Sequence, residues 1–407
     1  MRKLIPLVAA IIGCSFGFSL NLAAAAPPSS PSADAPALAA LGPHRVGTTT
    51  LSVPAGDGPS ARQLRVVLWY PARTAAGAPN KVYRHRLRPA PPLTPIDIAT
   101  EGLAVEGAAP VAGRFPLVLV SHGYRGWPES MSYITENLAS KGYVVAGIDH
   151  NDLPFQDTAS FNTSFALTAS TRARDQQAVL ARLMQMSARG GSGLGSSIAP
   201  DRVALIGYSM GGFGALATAG AGYDPQSAAY RSLPAGALAD QAEGRRQADP
   251  RIRALVAIAP WGAQPPHRSW SAASMKRLRI PMMIIAGDQD DVSGYAEGIR
   301  WVFDNSTNAD RHLLLYRNAR HNVGGNPLPE EAGASFKFRE MFEEPVWRGD
   351  RINAINQHFI TAFLNRHLKD DGTAGPYLDE PANGSAAWPG FQPRWALGFE
   401  LQRKPAE

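Results

Sequence analysis

The sequence predicts an α/β fold, a mainly parallel, doubly wound sheet of about eight strands with helices on both faces. Three observations lead there. Short continuous apolar runs such as Leu117-Val118-Leu119-Val120 and Val203-Ala204-Leu205-Ile206 recur, as strands covered on both faces require. Amphipathic stretches of helical length separate them. The two alternate through most of the chain, which is the pattern of strand–helix–strand units and a parallel sheet.

Taken in order, residues 48–53 and 63–70 read as two leading strands, antiparallel, the second stopped by Pro71, which has no N–H for a ladder. Residues 74–114 carry many Pro, Ala and Gly without a clear period and read as a long loop. The basic stretch Arg84-His85-Arg86-Leu87-Arg88 falls inside it and reads as a solvated face, so no nucleic-acid partner is expected. A strand over 117–120 follows, then a helix over 131–141 ended by Gly142, and a strand over 143–148. Residues 172–186 are helical and 203–206 form the next strand. Residues 254–259, 282–286 and 313–316 are three more strands, and 352–369 is a final helix. Residues 220–250 form an insertion, either a small lid or a plain surface loop. Neither an internal repeat nor a second domain is visible, so residues 46–407 read as one domain.

The bulk numbers fit a globular chain: 407 residues, 44% hydrophobic, 18% charged and net charge +6. The basic Met1-Arg2-Lys3, a largely apolar stretch over 4–22 and Ala23-Ala24-Ala25-Ala26 read as a signal peptide over 1–26, with a flexible Pro/Ala/Ser leader over 27–45. Export is therefore expected, to the periplasm or outside. Ile11-Ile12-Gly13-Cys14 also resembles a lipoprotein box, which leaves lipid anchoring through Cys14 as the alternative. Cys14 is the only cysteine. With at most one thiol, at the extreme N-terminus, intramolecular disulfides, thiolate zinc sites and a cysteine nucleophile are excluded.

The chemistry concentrates at strand ends. Gly207-Tyr208-Ser209-Met210-Gly211-Gly212 follows one buried strand and opens a small-residue helix. A serine on such a tight strand-to-helix turn lifts its hydroxyl off the sheet, and glycines at 207 and 211 keep side chains out of neighbouring backbone. A serine hydroxyl needs a base. His321, in the polar loop after the strand over 313–316, lies at the correct end; His312 precedes that strand. For the acid, Asp290 in Gly287-Asp288-Gln289-Asp290-Asp291 is favoured and Asp291 is the runner-up. The order Ser209, Asp290, His321 makes a nucleophile–acid–base set. Two backbone donors should hold an oxyanion: the N–H of Met210 and that of Tyr124 in Ser121-His122-Gly123-Tyr124. His122 reads as structural. Trp261, after the strand over 254–259, either lines a substrate pocket or belongs to the core.

These motifs resemble the α/β-hydrolase superfamily, closest to a secreted branch around dienelactone hydrolases and platelet-activating-factor acetylhydrolases. The residues carrying the resemblance are Leu68-Trp69-Tyr70-Pro71, Ser121 to Tyr124, Asp149-His150-Asn151-Asp152, Arg172-Ala173-Arg174-Asp175, the Ser209 turn, Gly287 to Asp290, and His321. The aromatic before Ser209 and the Tyr124 loop are also similar to cutinase-like polyester hydrolases. The resemblance implies a serine carboxylic-ester hydrolase acting through an acyl-enzyme on a small or medium ester, a lipid or polyester included, without cofactor or metal; a monomer is expected. Dienelactone hydrolases proper have a cysteine nucleophile, so lactone specificity does not carry over. A serine peptidase or amidase uses the same groups. A non-catalytic envelope binding protein on this scaffold is the reading from another class.

Overall fold

The computed structural model describes residues 32–56, 61–89, 92–190, 193–379 and 388–407. The segment read as a signal peptide, with Cys14, lies outside the described residues. Within the segment read as a leader, Ala37–Ala39 forms a helical turn, Ala39 is buried, and the Leu38 N–H donates to His358 Nδ1 at 3.2 Å.

The chain opens with β1 (Arg45–Ala55) and β2 (Arg62–Arg73), paired antiparallel. Pro71 lies inside β2 rather than ending it. Its carbonyl accepts the Val111 N–H at 3.0 Å, so the missing donor faces away from β1 and that ladder continues. Residues 74–114 are not the loop expected. They hold a hairpin of β3 (Val82–Leu87) and β4 (Ile96–Glu101), then two short strands, β5 (Val105–Glu106) and β6 (Ala109–Pro110), which join β1 and β2. The basic stretch sits on β3, where Arg86 pairs with Asp97 and the His85 ring stacks on Trp127 at 3.9 Å. Its Arg/His-rich alternation carries too little apolar signal to be read as a strand from sequence.

Strand and helix then alternate: β7 (Phe115–Ser121), α1 (Ser132–Ser140), β8 (Val144–Ile148), α2 (Thr158–Arg189), β9 (Ile198–Tyr208) and α3 (Met210–Thr218). After a short α4 (Ala228–Arg231) come β10 (Ile252–Ile258), α5 (Ala272–Met275), β11 (Met282–Gly287), α6 (Arg300–Asn305) and β12 (Arg311–Tyr316). The chain closes with α7 (Phe336–Arg339), α8 (Gly349–Leu368) and β13 (Phe399–Lys404). Among the described residues the main sheet has eleven strands, in the order β13-β12-β11-β10-β9-β7-β8-β2-β1-β5, with β6 on β2. The excess over the expected eight comes from β5, β6 and the antiparallel edge β13, each too short or too polar to announce itself. β7 to β12 run parallel.

α2 and α3 pack together on one side of the sheet, and α1 with α8 on the other. α2 starts fourteen residues before the helix expected from sequence, which began at Arg172. Its first half is rich in Ser, Thr and Asn, poor helix formers. An Asp157–Ser160 capping box starts it, and Phe161 and Phe165 anchor it on Tyr124. The order reverses at β7, whose neighbours are β8 and β9, so the crevice beyond the carboxyl ends of β7 and β9 is a topological switch point. Among the described residues no helix is long and apolar enough to cross a membrane.

Candidate active site

Ser209 occupies the single residue between β9 and α3, with φ 53° and ψ −115°. Positive φ is costly for a residue with a Cβ, and it persists here because the surroundings force it. The Ser209 N–H donates to the Ile258 carbonyl at 2.9 Å, and its own carbonyl accepts from Phe213 and Trp261. A Cβ on Gly207 would lie 2.3 Å from the Gly211 carbonyl oxygen. One on Gly211 would lie 1.9 Å from the carbonyl oxygen of Ser121. Neither backbone contact can give, so both positions require glycine.

His321 Nε2 lies 3.0 Å from Ser209 Oγ, and His321 Nδ1 lies 2.9 Å from Asp290 Oδ2. The other oxygen of Asp290 accepts the N–H groups of Val292 and Ser293 at 2.9 and 2.8 Å. The loops carrying the acid and the imidazole touch at Gly287, where a Cβ would sit 2.2 Å from the carbonyl oxygens of both Ala319 and Arg320. The Tyr208 ring stacks on His321 at 5.4 Å, and its hydroxyl donates to the His321 carbonyl at 3.1 Å. Glu344 accepts the N–H groups of Arg320 and Asn322 and so grips both sides of His321. Tyr208 and Glu344 are supports that sequence reasoning missed. Asp291 points elsewhere, into an exposed pair with Arg320, and Asp288 accepts the Asn318 N–H at 2.7 Å.

The Tyr124 loop lies over the serine: a Cβ on Gly123 would be 3.4 Å from the Ser209 Cβ. Among the described residues neither the Tyr124 N–H nor the Met210 N–H has a hydrogen-bond partner. Met210 is also the first residue of α3, where the helix dipole favours negative charge. His122 is sealed. Its Nδ1–H donates to the Gly123 carbonyl at 2.7 Å, its Nε2 accepts the His150 N–H at 3.3 Å, and burial lowers its pKa.

Trp261 is half-buried and meets Phe165 edge-on at 4.9 Å. Both line a cavity of about 340 Å³ together with Ala169, Phe213, Leu233 and His267. Leu233 belongs to the 220–250 insertion, which supplies one wall of the cavity opposite α2. Phe161 and Phe165 escaped sequence reasoning because the polar start of α2 hid that helix.

Helices on both sides of a mainly parallel sheet, with serine, acid and histidine in that chain order at its carboxyl edge, decide the architecture. This is the α/β-hydrolase fold. Residues 106–234, which include Tyr124, Ser209 and Met210, match a PET hydrolase-like family model. Cutinase 2 of Thermobifida cellulosilytica is 27% identical over 176 residues, 43% of this chain and 48% of its own length. Cutinase est1 of Thermobifida alba is 27% identical over 207 residues, 50% of this chain and 52% of its own. The bis(hydroxyethyl) terephthalate hydrolase of Streptomyces coelicolor is 25% identical over 212 residues, 51% of each chain. The chain thus spans about half the length of the curated relatives it matches.

Proposed function

We propose that this α/β-hydrolase is a serine carboxylic-ester hydrolase working through an acyl-enzyme. The observation that carries the reading is the hydrogen-bonded series Ser209–His321–Asp290 set beside two unpartnered amides. His321 takes the Ser209 proton as Oγ attacks the ester carbonyl. The amides of Met210 and Tyr124 receive the developing oxyanion, already aimed and needing no reorganisation. Asp290 fixes the tautomer of His321 through Nδ1 and stabilises its charged form. His321 then protonates the leaving alcohol, and water activated by the same imidazole releases the acid.

The substrate is an ester with an apolar acid or alcohol part, which Trp261 and the aromatic-walled cavity accept. The names of the relatives, cutinases and a terephthalate-ester hydrolase, support lipid-like or polyester substrates. The finer kinship with dienelactone hydrolases and platelet-activating-factor acetylhydrolases rests on Asp149 to Asp152 and Arg172 to Asp175. Export rests on the basic and apolar start of the chain.

The test is a panel of p-nitrophenyl esters of increasing acyl length beside matched anilides. Wild-type turnover of esters that is lost in Ser209→Ala supports the reading. Faster anilide than ester cleavage favours an amidase, and turnover of neither refutes the proposal.

A further inference from the structure

A second Ser–His–Asp chain lies inside the molecule. Ser121 Oγ is 2.7 Å from His150 Nε2, and His150 Nδ1 is 3.0 Å from Asp175 Oδ2. The other carboxylate oxygen of Asp175 takes the Arg62 guanidinium, which also donates to the His150 carbonyl at 3.2 Å. The His150 and Asp175 side chains are 1% and 0% exposed, and Ser121 is 2% exposed. No ester can reach Ser121, so this is not a second nucleophilic centre. It absorbs the Asp149–Asp152 and Arg172–Asp175 motifs, which the Ser209 site leaves unused.

Burial holds His150 well below the ordinary histidine range, so the ring is neutral. Burial pushes Asp175 up to about 6, which still leaves a carboxylate beside Arg62 at neutral pH. The donors therefore point one way. The Ser121 hydroxyl gives to Nε2, and Nδ1–H gives to Asp175.

What this chain holds is the loop over Ser209. Ser121 is the last residue of β7, and its carbonyl is the atom that packs on Gly211. The next residue, His122, takes the His150 N–H and ties Gly123. A second clamp closes the far side. Arg125, at φ 56°, donates its N–H to Asp152 Oδ2 at 2.7 Å, and Asp152 is held by Arg172 at 2.7 Å and Thr168 at 3.1 Å. Between the two clamps stands the Tyr124 N–H.

We propose that Ser121, His150 and Asp175 are positioning residues that fix the Tyr124 amide where the oxyanion forms at Ser209. The proposal rests on the ester-hydrolase reading above. Donors aimed in advance matter because they act without reorganisation, and a small displacement of a catalytic group is expensive in rate.

The test is turnover per active site, titrated with a fluorophosphonate burst, in Ser121→Ala, Asp175→Asn and a matched control, Leu183→Ala, which removes core from α2 away from the loop. Ser121→Ala lowers kcat about tenfold with KM within about twofold, and weakens a boronic-acid inhibitor that becomes tetrahedral on Ser209 by a similar factor. Asp175→Asn moves both readouts the same way. Leu183→Ala lowers Tm and leaves kcat per titrated site and inhibitor affinity unchanged. If Asp175→Asn does not fold, Ser121→Ala, which removes one hydroxyl, carries the test. Wild-type kcat and boronate affinity in Ser121→Ala overturn the proposal. A wild-type enzyme without ester turnover overturns the reading beneath it instead.

Discussion

Ser209–His321–Asp290 and Ser121–His150–Asp175 have the same three side chains, bonded in the same order at nearly the same distances. They differ in what surrounds them. Ser209 stands on a positive-φ turn and its imidazole is 13% exposed, whereas Ser121 ends an ordinary strand beneath a sealed ring. Asp290 accepts two backbone N–H groups, while Asp175 leans on Arg62. The N–H of the residue after Ser209 and that of Tyr124, in the loop over it, have no hydrogen-bond partner among the described residues, whereas Ser121 has the Gly211 backbone against its carbonyl. The lesson is that a serine, a histidine and an aspartate in register do not make a nucleophile. On the proposed reading, access, a turn that presents the hydroxyl, and donors for the developing oxyanion divide the nucleophilic set from the buried one.

The two sets differ most at their serines. Ser209→Ala lowers kcat about 10⁴-fold or more, since members of such a set act as a unit. Equal losses in Ser209→Ala and Ser121→Ala, measured on one p-nitrophenyl ester, would make the two serines equivalent. The acid follows: Asp290→Asn leaves the geometry but lets His321 adopt the wrong tautomer, at a loss of about 10⁴-fold in kcat.

Acid tests the sealed imidazoles. Burial lowers His312 to about 4 and His358 to about 3, alongside the low His150. Below about pH 6.5 the unfolded chain takes up protons that these rings refuse in the fold. Their share of stability is therefore whole above pH 6.5 and drains as pH falls toward 4, by roughly 1.4 kcal/mol per pH unit for each ring. Calorimetry should show Tm falling steeply across that window, and a flat Tm contradicts the burial argument.

Smaller effects sharpen the site. Ala169→Trp fills the cavity beside Trp261 and should cut kcat/KM for long or bulky acyl esters about tenfold while sparing acetates, the scale of excluding a few methylenes. An unchanged chain-length profile removes the cavity from the substrate path. Asp291→Asn breaks only an exposed pair with Arg320 and should change kcat less than about twofold.

Much of this was legible because β7 to β12 are buried on both faces and therefore read as apolar runs. β9 runs into the glycine-bounded Ser209, β11 into Asp288 to Asp291, and β12 into the loop of His321, so these residues can be picked out locally. The hairpin β3–β4 was not legible, since Arg84, His85 and Arg86 hide its alternation. The start of α2 was not legible either, because tertiary contacts of Phe161 and Phe165 overrule its Ser/Thr-rich propensity. The buried Ser121–His150–Asp175 series depends on long-range contacts. Ser121, His150 and Asp175 lie 29 and 25 residues apart, and each is unremarkable until β7, β8 and α2 meet.

One measurement weighs the two chains directly: peptide mapping by mass spectrometry after reaction of the folded protein with a fluorophosphonate. A single adduct on Ser209 and none on Ser121 is expected. An adduct on Ser121, or a folded protein whose Ser209 stays unlabelled, contradicts it.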